Sequence, residues 1–166
     1  MVIADEDSSW MLGPDWPSGG EIDIIEGINQ QSENDMTLHT SPGCSIINTG
    51  TFTGRLNTTD CYGNALGQAK NAGCQIKASA STTYGVGFNT IKGGVYATEW
   101  TSSYISIFFF PRGQVPADID RNNPDVSTWG PPLAQFQGNC NFDAHFQDQQ
   151  IVSLATLHLN RNTDVN

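Results

Sequence analysis

The chain has 166 residues, with 7 lysines and arginines against 17 aspartates and glutamates and a formal charge of −10. That balance argues against a nucleic-acid partner, whose phosphates need cationic side chains, and against docking on anionic membranes; it leaves neutral polymers as compatible partners. The length suffices for one domain with a real core, and no stretch approaches the ~20 apolar residues that cross a bilayer.

Residues 1–9, Met-Val-Ile-Ala-Asp-Glu-Asp-Ser-Ser, lack the basic start and apolar run of a signal peptide. Beyond them, short β-like runs are punctuated by Gly, Pro, Asn and Ser clusters, and helical periodicity is nearly absent, which predicts an all-β chain. Strands are expected over 21–26, 36–40, 84–88, 94–100, 104–110 and 151–157.

The first of these is Glu21-Ile-Asp-Ile-Ile-Glu26, bounded by Gly19-Gly20 and Gly27. β-Branched isoleucines favour a strand. Alternation puts Glu21 and Asp23 on one face, with Ile22 and Ile24 on the core side. Continued strictly, it would send Glu26 into the core, where an unpaired charge is costly. A β-bulge at Ile24-Ile25 absorbs one residue and returns Glu26 to the acidic face. Crowded carboxylates raise one another's pKa, so one can hold a proton near neutrality. A protonated acid beside an ionised one is what a glycosidase uses. A solvated strand edge and a metal site are the other uses of such a triplet.

In Met36-Thr-Leu-His-Thr40, His39 shares a face with Thr37. If this strand pairs with 21–26, His39 lies beside the acids, either as a structural group or as a partner of a carboxylate or a sugar hydroxyl. No serine stands in a nucleophile-elbow context, so a Ser-His-Asp triad is not supported. The cysteines at 44, 61, 74 and 140 form no Cys-x-x-Cys pair, which disfavours zinc. Three disulfide pairings are possible. Cys61–Cys74, enclosing a Gly/Asn/Ala-rich loop, is preferred over the others and over free thiols. Asn57-Thr58-Thr59 is a glycosylation sequon if the protein is secreted.

Thr101-Ser102-Ser103 reads as a hairpin turn between 94–100 and 104–110. Tyr96, Thr98 and Trp100 share one face, as do Ile105, Ile107 and Phe109; Ser106, Phe108 and Phe110 occupy another. Bulky residues on both faces fit two packed sheets. Tyr96 and Trp100 serve either the core or a platform for a sugar ring. Residues 111–133 carry five prolines and are expected to form an ordered surface loop.

Together, Trp10-Met-Leu-Gly-Pro-Asp-Trp-Pro17, Gly20-Glu-Ile-Asp-Ile-Ile-Glu-Gly-Ile-Asn29, Met36-Thr-Leu-His-Thr-Ser41 and Val95-Tyr-Ala-Thr-Glu-Trp100 resemble glycoside hydrolase family 16, in its fungal-type endo-β-1,3(4)-glucanase or laminarinase branch. Ile107-Phe-Phe-Phe-Pro-Arg112, Val115-Pro-Ala-Asp118 and Trp129-Gly-Pro-Pro-Leu133 extend the resemblance, which covers about residues 10 to 152. It implies a concanavalin-like β-jelly-roll sandwich with a concave glycan-binding cleft, and retaining endo-hydrolysis of β-1,3- or mixed β-1,3/1,4-glucan. By position, Glu21 matches the nucleophile, Glu26 the acid/base and Asp23 the assisting carboxylate. Trp10, Trp16 and Trp100 match cleft aromatics, and His39 a histidine near the acids. The extra isoleucine matches the bulged form of laminarinases. The chemistry requires Glu21 to have the lower pKa of the pair and Glu26 the raised one. No cofactor and no metal are expected. The resemblance implies a secreted protein, monomeric if intact, whose partner is β-glucan.

The resemblance fades before Trp10 and after Val152, so the chain is expected to be a single partial catalytic domain over 1–166, truncated at both ends. A sandwich lacking strands would expose sheet edges and associate. The alternative to an active glucanase is therefore a non-hydrolytic glucan-binding remnant or an inactive truncated product.

Overall fold

The computed structural model describes residues 2–3, 8–47 and 50–154. Among these, two antiparallel sheets face each other. The six-stranded sheet runs in spatial order β12 (Gln150–Leu154), β2 (Ser8–Leu12), β3 (Glu21–Glu26), β4 (Asp35–His39), β7 (Cys74–Lys77) and β6 (Arg55–Thr58). The four-stranded sheet runs β1 (Val2–Ile3), β8 (Gly94–Trp100), β9 (Ile105–Pro111) and β10 (Ala134–Phe136). Two short strands, β5 (Ser45–Ile46) and β11 (Gly138–Asn139), pair with each other beside them.

Register decides which residues meet. Ile22 faces Leu38, Leu38 faces Cys74, and Met36 faces Ile76. These side chains form the inner surface of the larger sheet and are fully buried. Opposite them lie Tyr96, Ile105, Ile107, Ala134 and Phe136, brought to the inner surface of the smaller sheet by the same period of two. Burial of this apolar surface is the main stabilising term, at about 25 cal/mol per Å² removed from water.

The turn at 101–103 forms as its residues suggest. Thr101 Oγ1 accepts hydrogen bonds from the backbone N–H groups of Ser103 (3.2 Å) and Tyr104 (3.1 Å), and Trp100 pairs with Ile105 across it. Residues 112–133 contain no strand, only the helical turn α2 (Ala117–Asp120) and a 3-10 turn at Val126–Thr128. This loop folds over the outer face of the smaller sheet. Trp129 packs edge-on against Phe108 and Phe110, and its indole N–H donates to Asp118 Oδ2 at 2.8 Å.

One expectation needs amendment. The run 84–88 is not a strand: Tyr84 is extended and begins the helix α1 (Gly85–Thr90). Tyr84, Val86 and Phe88 alternate like strand residues, but the helix leaves Val86 80% exposed and buries Tyr84 and Phe88, four residues apart and on one face. Gly87 is obligatory there, since a Cβ would sit 1.8 Å from the Ser81 carbonyl oxygen. The strand expected over 151–157 is observed as β12, ending at Leu154; its last three positions lie outside the described residues.

Two disulfides staple the loops. Cys61 and Cys74 are joined across 13 positions, and Cys44 and Cys140 across 96. Closing even the shorter loop is worth about 3 kcal/mol in chain-entropy terms.

Candidate active site

The outer face of the six-stranded sheet carries the acids. Glu21 and Asp23 lie on it by alternation. Between Asp23 and Glu26 the register with β4 shifts: Asp23 pairs with Thr37 and Glu26 with Asp35, so three steps on β3 match two on β4. The corresponding irregularity with β2 sets Ile25 opposite Ser9 and Asp23 opposite Trp10. This is the expected bulge. It lets Ile22, Ile24 and Ile25 all join the core while Glu26 returns to the outer face.

The bulge strands two backbone groups, and one buried side chain takes both. Asn34, wholly inaccessible to solvent, donates from Nδ2 to the Ile24 carbonyl (2.8 Å) and accepts from the Glu26 N–H through Oδ1 (2.9 Å). Nothing in the sequence pattern singled out Asn34. It lies in the loop before β4, eight residues from Glu26, and only the pairing of β3 with β4 brings it there.

Glu21 is reached by the turn before it. The segment Asp15–Gly20, with a cis Trp16–Pro17 bond, folds back so that the Trp16 indole N–H donates to Glu21 Oε2 at 2.6 Å. Gly20 makes this return possible: its φ is +78°, and a Cβ would lie 2.3 Å from the His145 carbonyl oxygen and 2.5 Å from the Phe146 ring. Gly20→Ala is expected to cost about 2–4 kcal/mol of stability in thermal or urea unfolding; a loss under about 0.5 kcal/mol would contradict this packing.

His39 pairs with Glu21 across β4 and places Nε2 3.1 Å from Asp23 Oδ2. Its ring lies 6.3 Å from that of Trp16. Gly73, at φ +59°, backs the imidazole so closely that a Cβ would stand 2.8 Å from Nδ1. The Cys61–Cys74 loop thus forms a wall behind His39. An open groove of about 210 Å3 extends from Glu26 along β4 and β7, lined among others by Gln31, Asp35, Thr37, Asn71 and Gln75.

Burial dominates the electrostatics. Glu26 is pushed up to about 7, first by desolvation and then by the negative charge of Asp23, with Glu21 and Asp35 adding to the effect and His39 opposing it. Glu21 is also raised by desolvation and by Asp23, while the Trp16 hydrogen bond and the His39 charge pull it back. The low member of the pair is therefore low only relative to Glu26. Desolvation raises Asp23, against the contact with His39. For His39, burial works to lower the pKa, but Asp23, Glu21 and Glu26 together outweigh it and the net shift is upward. Glu21, Asp23 and His39 offer ligand atoms within 4.8 Å of one another, a spacing a small cation can bridge. The Asp23–His39 ion pair already engages two of those ligands.

Glu21, Asp23, Glu26, Trp16 and His39 are thus brought together, and Trp10 joins them on the outer face opposite Asp23. Trp100 ends β8 in the other sheet and is 37% exposed; its ring meets Phe146 edge-on at 6.2 Å, and Phe146 in turn lies against Gly20, the neighbour of Glu21. Tyr96 belongs to the core: it is buried, packs tilted against Phe109 at 4.7 Å, and donates from its hydroxyl to the Thr83 carbonyl. A period of two assigns residues to faces but does not reveal which sheet a face belongs to, and that is why both aromatics read equally well as platforms.

Comparison with known proteins agrees with this geometry. A family model described as "XgeA-like, catalytic GH16 domain" matches residues 7–158, somewhat wider than the expected 10–152. An endo-1,3(4)-beta-glucanase from Arthroderma benhamiae is 49% identical over 145 residues, covering 86% of this chain and 32% of the relative. The endo-1,3(4)-beta-glucanase xgeA of Emericella nidulans is 41% identical over 143 residues, covering 86% and 22%. Among solved structures, GH16 Laminarinase 16A from Phanerochaete chrysosporium, with two β-glucans in its donor and acceptor sites, superposes with a TM-score of 0.80 at 40% identity, over 91% of this chain and 52% of that one. An elongating GH family 16 β-1,3-glucosyltransferase superposes at 0.79 and 38% identity, over 91% and 50%. The chain thus spans about half of these solved chains and a third or less of these curated relatives. Sandwich, bulged acidic strand and sequence match agree: the chain belongs to glycoside hydrolase family 16, in its XgeA-like group of catalytic domains.

Proposed function

We propose that the chain hydrolyses β-1,3- or mixed β-1,3/1,4-glucan internally, with retention of configuration, using Glu21 as nucleophile and Glu26 as acid/base. The observation that carries this proposal is the pair of glutamates on one face of β3, flanking Asp23, with Glu26 displaced to about 7. Near neutrality Glu26 then holds a proton to give, and Glu21 is the better ionised of the two.

In the first step the Glu21 carboxylate attacks the anomeric carbon. The bond to the leaving glucan oxygen breaks as that oxygen takes the Glu26 proton. Esterification removes the Glu21 charge, and Glu26 loses one of the influences that raised its pKa. Ionised, it accepts a proton from water, whose oxygen attacks the same carbon and frees Glu21. Asp23 and His39 hold the charge between the two glutamates. The Trp16 indole fixes the nucleophile's orientation, and Trp10 offers a ring to the sugar from the neighbouring strand. One solved relative is an elongating GH family 16 β-1,3-glucosyltransferase, and a sugar hydroxyl in place of water would turn the same second step into glucosyl transfer. The two disulfides suit an oxidising, extracellular setting. No helix among the described residues is long and apolar enough to cross a membrane.

The test is reducing-end release from laminarin and from lichenan by the purified protein, with circular dichroism to confirm folding. Cleavage of either polymer, with kcat/KM falling as pH rises through about 7, is expected. Binding without any release by folded protein would favour the glucan-binding alternative and remove the enzymatic one.

A further inference from the structure

We propose that Asn34 is a positioning residue for the acid/base, acting through the backbone of the bulge rather than by touching substrate. The proposal rests on the role given above to Glu26. Without a partner, the Ile24 carbonyl and the Glu26 N–H would be left unpaired by the register shift. Asn34 satisfies both with one amide and fixes the backbone on either side of Ile25.

Asn34 is itself held by the segment that runs from β7 to α1. Its N–H donates to Thr83 Oγ1 (3.0 Å), and its carbonyl accepts from the Ala78 N–H (2.8 Å). Thr83 Oγ1 donates to the Ala80 carbonyl, and the Thr83 carbonyl accepts from the hydroxyl of Tyr96 in β8. A set of buried and half-buried hydrogen bonds therefore links β8 to the backbone of Glu26 through Thr83 and Asn34. Beyond the two bonds that the bulge needs, this clamp is braced by Ala78 and Thr83 of the β7–α1 connection and, through Thr83, by Tyr96 of β8, and its end point is the group that must hold and return a proton. Side chains that must act within about 0.5 Å of a productive position call for such support.

The charged groups around Glu26 are Glu21 and Asp23 on its own strand and Asp35 and His39 on β4, with Lys77 of β7 neutralising Asp35 at 2.7 Å. Loosening the bulge leaves these in place and mainly re-exposes the Glu26 carboxyl to water. The expected direction is downward, from about 7 toward the ordinary glutamate value of 4.5.

The experiment follows Glu26 directly, by carboxyl 13C NMR titration of wild type and Asn34→Ala, alongside kcat and KM on laminarin against pH. Asn34→Ala is expected to move the Glu26 midpoint and the alkaline limb down together by about one unit. It should also lower kcat about tenfold or more with KM changed less than about twofold. A folded variant with an unmoved midpoint and limb overturns the proposal, since general loss of stability moves neither. If Asn34→Ala does not fold, Thr83→Val removes the brace behind Asn34 and should shift the same midpoint in the same direction; no shift there overturns it equally. The NMR arm does not depend on turnover. Wild type that fails to cleave while Asn34→Ala still moves the midpoint would sink the proposed function and leave the positioning role standing.

Discussion

Glu21→Gln is expected to lower glucan cleavage by about 10⁴-fold or more while leaving the protein folded. The amide keeps the size of the carboxylate and can still accept the Trp16 indole hydrogen bond, so the turn at Asp15–Gly20 has no cause to move. It cannot form the glycosyl ester. The substitution also removes a half-buried charge that faces Asp23, and stability at neutral pH should hold or rise. Laminarin hydrolysis measured beside a thermal melt checks both halves. Residual activity within about tenfold of wild type, in folded protein, would show that Glu21 is not the nucleophile.

Glu26→Gln is expected to separate activity from stability. Loss of the proton donor should cost about 10²–10⁴-fold in the rate on polymeric glucan. The folded state holds Glu26 at about 7, above its ordinary value of 4.5, so it binds that proton more tightly than the unfolded chain does. The penalty for the charged form is therefore absent below pH 4.5, grows as pH rises from 4.5 to about 7, and is constant above. Removing it should stabilise the protein by roughly 1–2 kcal/mol at pH 8 and by nothing at pH 4, the full shift being discounted because the side chain is only half-buried. Urea unfolding at the two pH values reads this difference. A variant less stable than wild type at pH 8 would mean that the site does not strain Glu26.

The acidic strand was legible because its conflict is local. Three acids and three isoleucines in six positions cannot satisfy a period of two without one extra residue, and the register shift at Asp23/Glu26 supplies it. His39 was legible conditionally, since its place beside Asp23 follows once β4 pairs with β3. Asn34 was not, because its partners are backbone atoms that a bulge elsewhere exposes, and no pattern in side chains announces that. Short strands such as β7 and β10, at four and three residues, carry too few alternations to stand out from loops. The helix at Gly85–Thr90 was hidden by the opposite accident, apolar residues at 84, 86 and 88 that mimic a strand while glycines at 85 and 87 set a helical turn. Trp100 and Tyr96 show the limit of face assignment, which says nothing of depth or of which sheet is which.

The central claim is that two carboxyls on a bulged strand work as a retaining pair, which requires them to act about 5–5.5 Å apart. The anomeric configuration of the first product released from laminarin, followed by 1H NMR before mutarotation, tests this most directly. The account predicts that the new reducing end appears as the β anomer and converts later to the equilibrium mixture. Initial release of the α anomer would mean that water attacks directly from the opposite face, and the roles given to Glu21 and Glu26 would be wrong.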